Sequence, residues 1–355
     1  MNLPLAMIAT GARTPLGLDS ANAAAAVRAA LSSCGEHPFM IDQAGDPMPA
    51  SMDAILEPGL PCRERMLVMA QAALQEACGP LAQREGVQRI PLLLGLPEPR
   101  PGFGETDGHW LHDQLLRKTD LPVPVSDIRA YMSGHGATLF LLDQARQEVA
   151  EGRYDGCLVG GVDSYFHPDT MDWLDRNRQL VGTVSRSGFV PGEGAGFVLL
   201  MTPATAQRAG LHPLGMITGT AAEWENKLIK TQDINLGEGL IRAVNGAVSA
   251  VLPPHDTIHS IYCDINGERY RGEEWGFVCL KLAHYFADPT GYCSPADCWG
   301  DMGAASGGLL LALATQAAQR GYAAGSRSLM WTGSEHGLRA AAVLDAPVIP
   351  SPYRG

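Results

Sequence analysis

Between Tyr131 and Asp163 the chain reads YMSGHGATLFLLDQARQEVAEGRYDGCLVGGVD. The segment opens on a turn of small residues, Ser133-Gly134-His135-Gly136. An apolar run follows from Ala137 to Leu142, continues at Ala145 and Val149, and stops at Glu151-Gly152-Arg153-Tyr154. That spacing predicts a helix whose left-handed terminal residue is Gly152, entered through a bend that Gly134 and Gly136 permit. Cys157-Leu158-Val159 then reads as a buried strand ending at Gly160-Gly161. The arrangement puts His135 at a helix N-terminus, facing any pocket at that end.

The pattern recurs. Gly303 and Gly321 lie 169 residues after Gly134 and Gly152, enclose a similar apolar run, and precede a strand ending near Thr332-Gly333. A duplicated α/β unit brings two helix N-termini together near a pseudo-twofold axis, a natural place for a pocket. Elsewhere strands and helices alternate. Strands are predicted at 5–9, 90–96, 197–201, 214–219, 258–264, 329–331 and 340–344. Helices are predicted from Asp19 to Leu31, over 62–78, 109–116, 236–251 and 273–285, and from Gly307 to Gln319. Residues 38–60 and those after Gly161 read as connections, and Val123-Pro124-Val125 leads into the central corner. The result is an α/β layered architecture.

At 355 residues the chain suits one large or two intimately packed domains. A net charge of −12 argues against nucleic acid or an anionic membrane surface as the main partner. No apolar run is long enough to span a bilayer, and the first residues lack the basic region of a signal peptide. Eight scattered cysteines, several within apolar runs, point to reduced buried thiols in a cytoplasmic protein. Neither Cys293 with Cys298 nor His109 with His112 makes a convincing metal set, and Gly192–Gly196 lacks the lysine of a phosphate cradle, so no metal or cofactor is expected. Asp42, Asp46, Glu273 and Glu274 read as solvated charges.

The segment Gly188-Phe189-Val190-Pro191-Gly192-Glu193-Gly194-Ala195-Gly196 resembles the most recognisable stretch of the thiolase superfamily's β-ketoacyl-acyl-carrier-protein synthases. Thr14-Pro15-Leu16-Gly17, Gly160-Gly161 and Gly303-Ala304-Ala305-Ser306-Gly307 are similar to other parts of that family, in the same order. The resemblance implies a thiolase-like five-layer fold of two pseudo-twofold-related βαβαβ halves, over 1–205 and 206–355, usually paired as a homodimer. It also implies where chemistry would sit. The family's nucleophilic cysteine falls on His135, its first histidine on Asn266 and its second on Asp301. Its usual lysine falls near Ala296, its gating loop becomes Gly333-Ser334-Glu335-His336-Gly337, and an acidic residue supporting the active-site loop falls on Glu274.

Claisen condensation needs a thiolate to hold the acyl group and donors to stabilise the enolate and oxyanion. The turn at 133–136 contains no cysteine, and Cys157 belongs to the following strand. The helix dipole favours a neutral His135. Beside a true condensing enzyme whose catalytic positions are aligned elsewhere in the chain, two readings follow. In one, His135 and Asp301 are a buried pair filling a retired site, and the chain works in fatty acid or polyketide biosynthesis as a pseudoenzyme. It would then be a homodimer, a partner of an active synthase, or an adaptor for an acyl-carrier protein or another protein. In the other, His135 acts as general base or nucleophile of an acyltransferase or thioesterase, with Asn266, Asp301 and His336 around it.

Overall fold

Strand β1, Leu5–Arg13, is buried at every position but the last, as its apolar run requires. Helix α1, Ser20–Arg28, starts at an Asp19 cap whose side chain accepts from the Asn22 N–H. It stops three residues short of Leu31 because Ala30 turns left-handed (φ 52°) and the Leu31 N–H closes back on the Ala26 carbonyl. A hairpin, β2 (Gly35–Ile41) and β3 (Pro47–Ala50), begins before the connection over 38–60 and runs into it, its turn tied by Asp42 Oδ1 accepting from the Ala44 and Asp46 N–H groups.

The elements α2 (Cys62–Cys78), β4 (Ile90–Leu96), α3 (Glu105–Lys118), β5 (Val125–Met132), α4 (Ala137–Ala150) and β6 (Cys157–Ser164) follow. The computed structural model describes residues 4–350 except 83–86, 88, 119, 124, 184, 229–230 and 232. Pro124, read as part of the lead into the central corner, therefore lies outside the described residues. Gly160 and Gly161 lie inside β6 rather than at its end. A Cβ on Gly160 would come within 2.2 Å of the Gly196 carbonyl, and one on Gly161 within 2.0 Å of the Ala304 carbonyl, so glycine serves close backbone approach here. Gly161→Ala should destabilise the protein by about 1–3 kcal/mol through overpacking. Gly182→Ala, into open space, should leave the denaturant midpoint unchanged.

The stretch after Gly161, read as loop, contains α5 (Pro168–Arg176). Pro168 opens it, the His167 ring caps it, and Thr170, Met171 and Leu174 face inward. Then come β7 (Glu193–Met201), α6 (Pro203–Arg208), β8 (Gly215–Trp224), α7 (Glu238–Ala247), β9 (Ser260–Cys263), α8 (Arg269–Leu282), β10 (Tyr292–Cys293), α9 (Ala296–Trp299), α10 (Ser306–Gln319), β11 (Arg327–Gly333) and β12 (Leu338–Asp345).

Ten strands form one sheet in the order β10-β9-β11-β12-β8-β1-β7-β6-β4-β5. Numbered within its own half, each five-strand run has the order 3-2-4-5-1. The first three are parallel and the last two pairings antiparallel. The runs join where β1 pairs antiparallel with β8, Ala6 opposite Met216. Helices α4 and α10 span 137–150 and 306–319, the same 169-residue offset as their glycines, and Gly134, Gly152, Gly303 and Gly321 all have positive φ. Both helices touch strands of both runs, while α2 and α3 cover one outer face and α7 the other. That is a five-layer α/β fold of two pseudo-twofold-related halves.

No helix among the described residues is long and apolar enough to cross a membrane. None of the described residues forms a cluster of three or more metal-ligating side chains, and His112 instead meets the Ile128 carbonyl through Nε2 at 3.1 Å.

Candidate binding site around His135

His135 sits in a single 3-10 turn, Gly134–Gly136, that feeds α4. The equivalent turn, Gly303–Ala305, feeds α10, and the two turns touch. Asp301 is held just before that second turn by its own backbone. Its N–H donates to the Val190 carbonyl at 2.7 Å and its carbonyl accepts from the Gly192 N–H at 2.9 Å, which ties it to the glycine-rich 188–196 segment.

The Asp301 carboxylate is the centre of the site. It faces His135 Nε2 at 2.8 and 3.0 Å, and accepts from the Tyr165 hydroxyl at 2.9 Å, Asn266 Nδ2 at 2.5 Å and the Gly303 N–H at 2.8 Å. Because Nε2 lies between two carboxylate oxygens, it carries the proton. Arg271 Nη2 lies 3.4 Å from the same nitrogen, while Nη1 donates to Asp264 Oδ2 and the Gly333 carbonyl, each at 2.8 Å. His135, Asn266 and Asp301 thus converge, the three positions that the resemblance singles out. His336 lies outside this hydrogen-bonded set, its side chain 65% exposed and its Nδ1 meeting Glu98 Oε1 at 3.2 Å, on the wall of the same cavity as His135.

Electrostatics reverse the expectation of a neutral His135. Burial pulls its pKa down, but the adjacent Asp301 carboxylate outweighs that and the net shift is upward. For Asp301, burial pushes upward and is overcome by His135, Arg271 and the Asn266 amide, which hold it well below the usual carboxylate range. Burial and the two carboxylates Asp301 and Asp163 push the Tyr165 phenol well up, so it stays a donor.

A family model described as the β-ketoacyl synthase N-terminal domain matches residues 136–206. Polyketide synthase PksL of Bacillus subtilis (strain 168) is 32% identical over 93 residues, which is 24% of this chain and 2% of that far longer relative. Among solved structures, the ishigamide ketosynthase/chain length factor superimposes with a TM-score of 0.78 at 15% identity, covering 98% of this chain and 100% of that one. The ketosynthase structure with its type II acyl-carrier protein, AntDE:AntF, gives 0.77 at 14% identity, with 98% and 100% covered. The ketosynthase from module 6 of the Bacillus subtilis 168 bacillaene synthase gives 0.76 at 14%, with 97% and 72% covered. The chain has the ketosynthase fold.

In this ketosynthase-like chain the space beside His135 is open. A cavity of about 280 Å³ is bounded by Gly134 and His135, by Glu98 and Arg100, by Tyr165, and by apolar side chains that include Trp173, Leu174 and Phe189. No cysteine lines it. Cys62 donates to the Ser164 carbonyl from a buried position, and burial pushes its thiol up to about 12. Cys157 is buried in β6, and burial pushes its thiol up as well.

Glu274 corrects another expectation. It is not solvated but 2% exposed, and binds Arg339 at 2.6 and 2.7 Å; Arg339 in turn donates to the Ser334 carbonyl. It therefore braces the turn that carries Glu335 and His336. Sequence reading passed over Tyr165, Arg271, Asp163 and Arg100. Asp163 accepts from Arg100 Nη2 at 2.6 Å and the Ala304 N–H at 2.9 Å. A signal existed for Arg271 in Glu268-Arg269-Tyr270-Arg271, opposite charges packed at a helix start directly after Asn266-Gly267.

Proposed function

We propose that this ketosynthase-like chain does not build carbon–carbon bonds through a thiolate and works by binding, as a partner of an active synthase or of an acyl-carrier protein. The observation that carries this reading is the locked His135–Asp301 pair at the helix tip where the resemblance implies the nucleophile. A condensing site needs a thiolate to hold the acyl group, and the cavity wall offers none. An oxyanion at the neighbouring helix tip would compete with two carboxylates already there: Asp301 takes the Gly303 N–H and Asp163 the Ala304 N–H.

The acyltransferase or thioesterase reading is less well supported by the same geometry. A general base must be free of its proton before it acts, and the upward shift that Asp301 gives His135 lowers the share in that form near neutral pH. Two of the similar structures are assemblies, one with a chain length factor and one with an acyl-carrier protein, which favours a partner role within polyketide biosynthesis. The replacement of the family's catalytic groups by His135, Asn266 and Asp301 is part of this proposal.

Incubation with acyl- and malonyl-thioesters, read by intact-protein mass spectrometry and thiol release, tests it. The expected result is no covalent adduct and no release above the uncatalysed rate. Turnover that disappears in His135→Ala would overturn the reading.

A further inference from the structure

The cavity beside His135 carries a feature that the retired-site reading leaves unused. Its loop reads Pro97-Glu98-Pro99-Arg100-Pro101, so one proline-braced segment presents a carboxylate and a guanidinium two residues apart, both lining the cavity.

Each group has an ion-pair partner, Asp163 for Arg100 and His336 for Glu98, and each keeps hydrogen-bonding capacity that the described residues leave unused. Arg100 is 9% exposed, lies over the Tyr165 ring at 4.3 Å and, among the described residues, donates hydrogen bonds only through Nη2, to Asp163 Oδ1 at 2.6 Å and the Ser164 carbonyl at 2.8 Å. Its Nε is buried with no hydrogen-bond partner among the described residues. A buried guanidinium N–H in that state calls for an oxygen acceptor. Glu98 is 15% exposed, and its cationic contact is the mostly exposed His336 at 3.2 Å. Burial pushes its carboxyl up more than His336 pulls it down, so an incoming cation would stabilise its charged form. The other basic groups on the wall, His135 and His336, face Asp301 and Glu98, and Glu335 is a further carboxylate there.

We propose that the cavity holds a short amino acid or aminoacyl group, with its amine against Glu98 and its carbonyl or carboxylate oxygen against Arg100. The volume of about 280 Å³ suits a short chain, and Trp173 and Phe189 provide apolar surface for its methylenes. The inference rests on the binding reading above and names the ligand class of that site. The loop's prolines fix the spacing of the two charges before the ligand arrives, which lowers the ordering cost of binding.

Calorimetric titration of the full chain with glycine, β-alanine and 4-aminobutyrate tests this. Each is compared with its N-acetyl derivative, with the matching carboxylate and with the matching alkylamine. At least one free amino acid should bind roughly tenfold or more tighter than all three of its matched controls. Glu98→Gln should erase that preference while the unfolding transition stays cooperative. Equal binding of the free and N-acetylated forms, or no binding by any of the three amino acids, would overturn the inference. The capped-amine comparison uses the unaltered protein, so it decides the matter even if the variant does not fold. Thioester turnover would sink the proposed function without touching this comparison, and the reverse also holds.

Discussion

Asp301→Ala should lower the unfolding free energy by about 3–5 kcal/mol, measured by urea titration at pH 6, because it leaves buried partners without their acceptor. The carboxylate is 2% exposed and receives His135, Tyr165, Asn266 and the Gly303 N–H together. The pH dependence separates this from a simple cavity effect. Asp301 has a folded-state pKa below its ordinary 3.8, so its contribution is present above that value and is lost as pH falls through the folded value. His135 has a folded-state pKa above its ordinary 6.5, so its contribution is full below 6.5 and is lost as pH rises through the folded value. Stability from the pair should therefore peak between about pH 4 and about pH 6.5 and fall on both sides. The variant's profile should be flatter at both edges. A wild-type profile that is flat across the alkaline edge would mean that His135 is neutral in the folded protein.

Glu193→Ala should cost a similar amount, about 3–5 kcal/mol, for a reason remote from any ligand. Glu193 and Arg65 are both 0% exposed and meet through Nη2 at 2.5 Å and Nε at 2.7 Å. Glu193 also accepts from the Asp53 N–H at 2.8 Å and the Ser164 hydroxyl at 2.9 Å. Burial opposes the Arg65 charge and Glu193 sustains it, so removing the carboxylate strands a guanidinium in the core. The double variant Arg65→Met with Glu193→Leu removes both charges and should recover at least about 2 kcal/mol of the single variant's loss. Additive losses would show that the pair is not energetically coupled.

Much of the fold was legible because backbone requirements leave marks that side-chain chemistry does not erase. The glycines at 134, 152, 303 and 321 are each left-handed in the structure, and their common spacing announced the duplication. The alternation of apolar runs gave the layers. What escaped notice were elements defined by a few local contacts. The hairpin at 35–50 is mostly exposed and shows no apolar alternation, and α5 is nine residues long with its start signalled mainly by His167-Pro168-Asp169. Gly160-Gly161 was read as a stop because glycine usually punctuates a strand. Here it admits the Ala304 backbone, a long-range fact that no local pattern carries.

At the site, the positions of Asn266, Asp301 and His135 followed from the resemblance, but the charge state did not. A dipole acting at a helix tip is a weaker influence than a carboxylate at 2.8 Å. His336, in the 333–337 turn that Glu274 and Arg339 anchor, lines the cavity beside His135 while its ring pairs with Glu98. Glu98 and Arg100 sit among the prolines 97, 99 and 101, a composition that marks a loop and carries no signal of a site.

Helices α4 and α10 lie between the two five-strand runs and touch both. Severing the polypeptide between those runs would therefore strip an apolar flank from each fragment, and neither would retain a closed interior. Such an arrangement unfolds as a unit.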